Sequence, residues 1–282
     1  MDTAVEAVRT RIGSGLRLIL GGSEEPRQLP DDGGLFGPDS ATWRVHGDAS
    51  MLVGGIRALI IQTLHPPTMA GVAEHSNYKS DPLGRLQRTA QFLSATTFGT
   101  VAVAESAIAT VRAVHGSVNG VMSDGTEYSA NDPHLLLWVH CTEVDSFLVA
   151  KRRYGSGSID DTTADRYVEE MATVGEMLGV IDAPRDQSQL AECLNTFRDD
   201  LGITSDAQRA LWFITFAPLP ITLRAPYGIL LGGAVATLPS WARRQLCLPR
   251  LPITEALAVR PAALTLTRLL AWSLAAPQPR PR

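Results

Sequence analysis

A mainly α-helical single domain is what this sequence predicts, and three observations predict it. Apolar residues recur at spacings of three and four over long stretches, Asp-Pro helix starts stand ahead of two of those stretches, and no strand–helix alternation or internal repeat interrupts them. Of the 282 residues, 45% are hydrophobic and 19% charged, which suits a well-buried core and argues against long disorder.

Residues 1–20 pattern as a short amphipathic helix ended by Gly21 and Gly22, and residues 23–40, rich in Pro, Gly and Asp, read as an irregular segment. A helix over 50–64 is halted by His65-Pro66-Pro67, because Pro66 disfavours helical geometry at residue 65 and lacks a backbone donor. His65 then stands at a helix end with its ring free to turn toward a pocket. A short helix covers 68–75, and Ser80-Asp81-Pro82 opens the next, in which Arg85 and Thr89 lie four residues apart on one face. Beyond Gly99, Val101, Ala104, Ile108, Val111 and His115 make one apolar stripe that His115 ends.

Asn119-Gly120 and Asp124-Gly125 mark a loop or hairpin. Asp132-Pro133 starts a helix with Leu136, His140, Val144 and Phe147 on one side. Further helices are predicted over 164–178, stopped by Gly179, and over 188–201. After Ala210 the prolines are expected to cut the chain into short pieces before a last helix over 257–274. The predicted organisation is an N-terminal part (1–40), a helical core (41–205) and a Pro-rich, less regular C-terminal extension packed on that core (206–282).

A net charge of −4 without a long basic run gives a polyanion nothing to bind, so nucleic acid is not expected as a partner and a small apolar ligand fits better. Cys141, Cys193 and Cys247 are odd in number and far apart in sequence, which speaks against a disulfide framework and a thiolate metal site. No CxxCH occurs, so any haem would be held without thioether links. The apolar runs at 16–20 and 225–238 are too short for a signal peptide and a membrane span respectively, and a cytoplasmic location is expected.

All six histidines, His46, His65, His75, His115, His134 and His140, lie in the first half of the chain. Imidazole is the commonest metal ligand and the usual acid–base group near neutral pH. His115 and His140 fall on apolar helix faces, where an unpaired ring loses its hydration without return, so either each has a hydrogen-bond partner or something binds there.

The run GGIRALIIQTLHPPTMAGVAEHSNYKSDPLGRLQRTAQFLSATTFGT, then VRAVHGSVNG, YSANDPHLLLWVHCTEVDS and YVEEMATVGEMLGV, over roughly residues 40–200, resembles the oxygenase domain shared by mpaB and rubber oxygenase (latex-clearing protein). The resemblance implies a mostly helical, globin-like core and, in the rubber-cleaving branch, a non-covalent b-type haem that activates dioxygen. It places the haem-neighbouring arginine and threonine at Arg85 and Thr89, and the proximal iron ligand at His115. A lysine that serves as second axial ligand in that branch has no counterpart here. The candidate cofactor-binding residues are therefore His115 as the iron ligand, Arg85, Thr89 and His140, and the candidate catalytic residues are Arg85, Thr89 and His65.

Plainer readings stand beside these. Thr89 can bond back to the Arg85 carbonyl, Arg85 can form an ordinary ion pair, His65 can cap a helix and His140 can bond a buried carbonyl. At the level of function, a haem b-dependent oxygenase acting on a small apolar substrate with dioxygen or peroxide stands first. A non-enzymatic haem or apolar-ligand binding protein is the alternative, and a non-haem metal enzyme using clustered histidines the third.

Overall fold

The computed structural model describes residues 29–274, so the helix expected over residues 1–20 lies outside the described residues. After an irregular stretch to residue 40, the chain forms α1 (Ala41–His46), α2 (Met51–Gln62), α3 (Pro66–His75), a 3-10 turn (Asn77–Lys79), α4 (Pro82–Phe98) and α5 (Val101–His115). An antiparallel hairpin follows, β1 (Asn119–Val121) against β2 (Glu127–Ser129), with Asn119 opposite Ser129. Then come α6 (Pro133–Tyr154), α7 (Asp161–Leu178), α8 (Gln187–Thr196), a 3-10 turn (Phe197–Asp200), α9 (Ser205–Thr215), α10 (Ile221–Ala236) and α11 (Ser240–Gln245). The short α12 (Pro252–Thr254) runs through a π-helical turn (Glu255–Val259) into α13 (Arg260–Leu274). The fold is mainly α, as the periodicity predicts.

Local chemistry sets the helix starts. The side chains of Asp81, Asp132 and Asp160 accept hydrogen bonds from the backbone N–H of Gly84, His134 and Thr163, satisfying donors that the first helical turn leaves unpaired. Both Asp-Pro starts read in the sequence are among them.

Helix α6 is the axis of the core. Its predicted stripe, Leu136, His140, Val144 and Phe147, is buried. One side of α6 packs with Val45 of α1, Tyr167, Val168 and Met171 of α7 and Leu190 of α8. Around Trp138 it packs with Ile60, Ile61, Leu64 and Phe197, and with Leu238, Ala242 and Leu246 from the C-terminal part. Residues beyond 205 thus complete the same core. Helix α2 lies close along α6 because Gly54 has no side chain; a Cβ there would come within 2.7 Å of the Phe147 ring.

The prolines after residue 210 break the chain less than expected. Helix α10 runs unbroken for 16 residues with Pro226 inside it. Pro226 sits near the N-terminal end, so it forfeits one hydrogen bond to the carbonyl four residues back, and packing against α2 and α13 holds the rest. Among the described residues no helix is long and apolar enough to cross a membrane.

Two ion pairs, one half-buried and one buried on both sides, pin distant segments together. Arg57 of α2 reaches Asp145 (2.7 Å) and the Ser146 hydroxyl (2.7 Å) on α6. Lys151 donates to Asp48 (2.8 Å) and to the Ser156 carbonyl (2.6 Å), with Lys151 7% and Asp48 6% exposed. Burial opposes the Asp48 charge, but the Lys151 ammonium and the Ser50 and Ser156 amides hold its carboxyl below the usual range. Lys151→Met keeps the bulk and removes the charge, leaving Asp48 buried and uncompensated. We expect a loss of about 3–5 kcal/mol, read as a fall of roughly 10 °C in melting temperature; a shift under about 2 °C would show the pair to be dispensable.

Candidate functional site

Four of the six histidines have their hydrogen-bonding needs met in ways that suit a structural role. His46 bonds through Nδ1 to the Thr97 hydroxyl (2.8 Å) and through Nε2 to the Tyr167 hydroxyl (3.0 Å), and burial pushes its pKa down to about 3. His75 Nε2 donates to the Asn119 carbonyl at 3.1 Å. His134 pairs with Asp200 at 3.0 Å and stacks on Phe197. His65 differs from the expectation of a freely turning ring. It is buried, and it is the N-cap of α3, its Nδ1 lying 3.4 Å from the Thr68 amide and 2.8 Å from the Thr68 hydroxyl. The prolines at 66 and 67 start a helix here instead of delaying one, which turns residue 65 into its cap.

The remaining two are those the apolar stripes single out. His115 Nδ1 and His140 Nε2 are buried with no hydrogen-bond partner among the described residues. An unpaired buried polar atom costs roughly 1–3 kcal/mol, so at each of these two imidazole nitrogens the fold accepts a deficit that a ligand would relieve. Burial lowers the pKa of both, His140 to about 4, so each ring is neutral and able to act as a ligand or acceptor. The helices that carry them both meet the C-terminal part of α7. Arg112, one turn before His115, donates to the Met177 carbonyl of α7 at 3.1 Å, and the His140 ring lies on Gly175 of the same helix, where a Cβ would come within 2.9 Å of it.

Helices α4 and α5 pack against one another with far less burial than α6. Of the 17 residues of α4 only Thr96 and Thr97 are buried, and of the 15 of α5 only Ala104 and Ile108. The rest of the predicted α5 stripe, Val101, Val111 and His115, is half-buried, and so are Ala90, Phe92 and Leu93 of α4. An apolar ligand with a flat face suits such a surface, because small residues on α5 allow close approach to the helix backbone.

Arg85 points from α4 toward the turn after α3, where its guanidinium donates to the Ser76 hydroxyl. Burial lowers its pKa, with nearby Tyr78 acting in the opposite direction. The Tyr78 hydroxyl is itself buried and has no hydrogen-bond partner among the described residues. Thr89 is exposed, and its hydroxyl bonds back to the Arg85 carbonyl at 3.1 Å, so the plainer reading of this residue is the one its geometry follows. Glu74 accepts from the Tyr128 hydroxyl, which also lies 3.3 Å from His75 Nε2. Burial and the neighbouring carboxylate push Tyr128 up to about 12.

One residue here was not singled out from the sequence. Glu143 lies one turn beyond His140 on α6, and burial pushes its carboxyl up to about 7. The three-residue spacing of His140 and Glu143 was the available signal. Among the described residues no group of three or more His, Cys, Asp or Glu side chains is arranged to hold a metal ion.

Compared with known proteins, residues 43–273 match the family described as "ER-bound oxygenase mpaB/B'/Rubber oxygenase, catalytic domain". No curated protein and no solved structure matches the chain. The family match extends past residue 205 through the C-terminal helices, in keeping with their place in the core.

Proposed function

Because this chain belongs to the mpaB/rubber oxygenase catalytic-domain family, we propose that it is a haem b-dependent oxygenase acting on a small apolar substrate with dioxygen or peroxide. The observation that carries the reading is the buried Nδ1 of His115, without a partner among the described residues, on a neutral, half-buried ring at the end of an incompletely packed apolar helix face. A haem needs only one protein ligand, so the residues present fit it without a cluster of metal-binding side chains. Haem b bound here would supply activation of the oxidant at its iron.

His115 would hold the iron. Arg85, enclosed and anchored to Ser76, presents a fixed cationic fork suited to a carboxylate or another anionic group. Glu143, one turn beyond His140 on α6, offers a carboxyl able to hold a proton near neutral pH, while His140 stays neutral there. The apolar side chains of α4 and α5 exclude water from the substrate. The third reading, a non-haem metal enzyme, obtains no ligand set from the described residues.

The test is an absorption spectrum of protein purified from haem-sufficient cells, followed by extraction. A Soret band with stoichiometric haem that passes into acidified organic solvent is expected. Protein that takes up no haem yet turns over, or haem that stays with the polypeptide, would overturn the proposal. Turnover with dioxygen or peroxide separates an oxygenase from a haem carrier. Arg85→Ala is expected to lower turnover at least tenfold, about 1.4 kcal/mol of barrier, while haem content is kept. Equal loss of haem and activity would make Arg85 an anchor of the cofactor, and an unchanged rate would remove it from the site.

A further inference from the structure

The cysteines that look unrelated in sequence meet in the fold. Cys141 on α6 and Cys193 on α8, 52 residues apart, have their sulfurs 2.9 Å apart. Cys141 is buried, Cys193 is half-buried, and the third cysteine, Cys247, is exposed elsewhere. The two helices are held together around this contact by Leu190 and Leu194 from α8, which pack with the Cys141 side of α6. A disulfide requires its sulfurs at about 2.05 Å, so closure asks for a movement of less than about 1 Å between elements already in contact.

We propose that Cys141 and Cys193 form a redox-responsive dithiol that closes to an intramolecular disulfide when the protein meets a peroxide. The reaction balances in two steps. The Cys193 thiolate, the more accessible sulfur, attacks one oxygen of hydrogen peroxide; the O–O bond breaks, giving a sulfenic acid and hydroxide, which takes up a proton to leave as water. The Cys141 sulfur then attacks the sulfenic sulfur. Its thiol proton and the departing hydroxyl leave as a second water, and the S–S bond forms. Two electrons pass from the two thiols to one peroxide, and an external thiol reverses the change. The hydrogen bond from Cys141 depresses the Cys193 pKa, which favours Cys193 as the first sulfur to react. The cross-link would tie to α8 the turn of α6 that carries His140, and it is independent of whether haem is bound.

The experiment uses the full-length chain, reduced, freed of reductant, and exposed to a near-stoichiometric amount of hydrogen peroxide before alkylation under denaturing conditions. The expected result is loss of two of the three alkylatable thiols, an intact mass about 2 Da lower before alkylation, and a peptide pair joining Cys141 to Cys193 that dithiothreitol releases. The oxidised form should melt several degrees above the reduced form, since the bond closes a 52-residue separation in the unfolded chain. Cys141→Ser should leave Cys193 to gain oxygen atoms, and Cys193→Ser should leave Cys141 alkylatable after the same treatment. Retention of both thiols at a peroxide dose that oxidises Cys247 would overturn the proposal. So would oxygen added to Cys193 in the wild type without a cross-link, or a cross-link that lowers the melting temperature. The wild-type peptide map decides the matter even if a variant fails to fold.

Discussion

His115→Ala protein is expected to emerge from haem-sufficient cells with its haem content reduced at least about tenfold and its helical circular dichroism unchanged. The axial bond to iron is the specific tie between a non-covalent haem and its protein, while the ring itself is only half-buried, so its removal costs the fold little. Gly175, which accommodates the other unpaired ring, supplies the contrast. His140→Ala opens a cavity against α7 and is expected to lower stability while leaving most of the haem in place. If His140→Ala loses haem and His115→Ala keeps it, the ligand lies on α6 and the assignment is wrong.

Stability should fall steeply on mild acidification. Burial holds His46 neutral down to about pH 3, and His65 and His140 down to about pH 4, against an ordinary value of 6.5. Around His65, burial is the largest cause; His134 adds to it, and Asp200 and Asp132 oppose it. With these pKa values depressed, the unfolded chain binds more protons than the folded one between pH 6.5 and about 4. The contribution is therefore fully present above 6.5 and is lost as pH falls. Each histidine contributes up to about 1.4 kcal/mol per pH unit. Glu143 runs the other way. Its raised pKa makes the folded state the better proton binder between its ordinary value of 4.5 and about 7, which offsets roughly one histidine. The net expectation is a loss on the order of 2–3 kcal/mol per pH unit below 6.5, measurable as a falling urea midpoint between pH 7 and 5. A flat midpoint over that range would show that the buried rings are relieved by some local opening, and His46→Gln should flatten the profile in part.

How much of this was legible in the sequence depends on the range of the interaction. Helix starts at Asp81 and Asp132 are local chemistry, a carboxylate reaching an amide two or three residues ahead, and they could be read directly. The stripes ending in His115 and containing His140 were legible because burial follows helical spacing, and they led to two rings that each keep one buried nitrogen without a partner among the described residues. Thr89 was legible only as one of two alternatives, since a threonine in a helix always has a carbonyl four residues back. Contacts between distant segments left no such trace. Lys151 with Asp48, Arg57 with Asp145, and Cys141 with Cys193 join helices whose relative placement no local pattern specifies. The continuity of α10 through Pro226 belongs with these, because neighbouring helices outweigh one missing hydrogen bond.

The sparse burial of α4 and α5 bears on how the molecule breathes. A helix pair that contributes four buried residues out of 32 has little to hold it against solvent, and its backbone amides should exchange with deuterium by local opening well before those of α6. Any ligand that binds the closed pair and not the opened one draws that equilibrium shut by mass action, by about 2.7 kcal/mol at a hundredfold excess over its Kd. Deuterium uptake along residues 82–115 would thus register occupancy by a cofactor or an apolar compound without any turnover being required, and would turn this hairpin into a reporter for screening substrates.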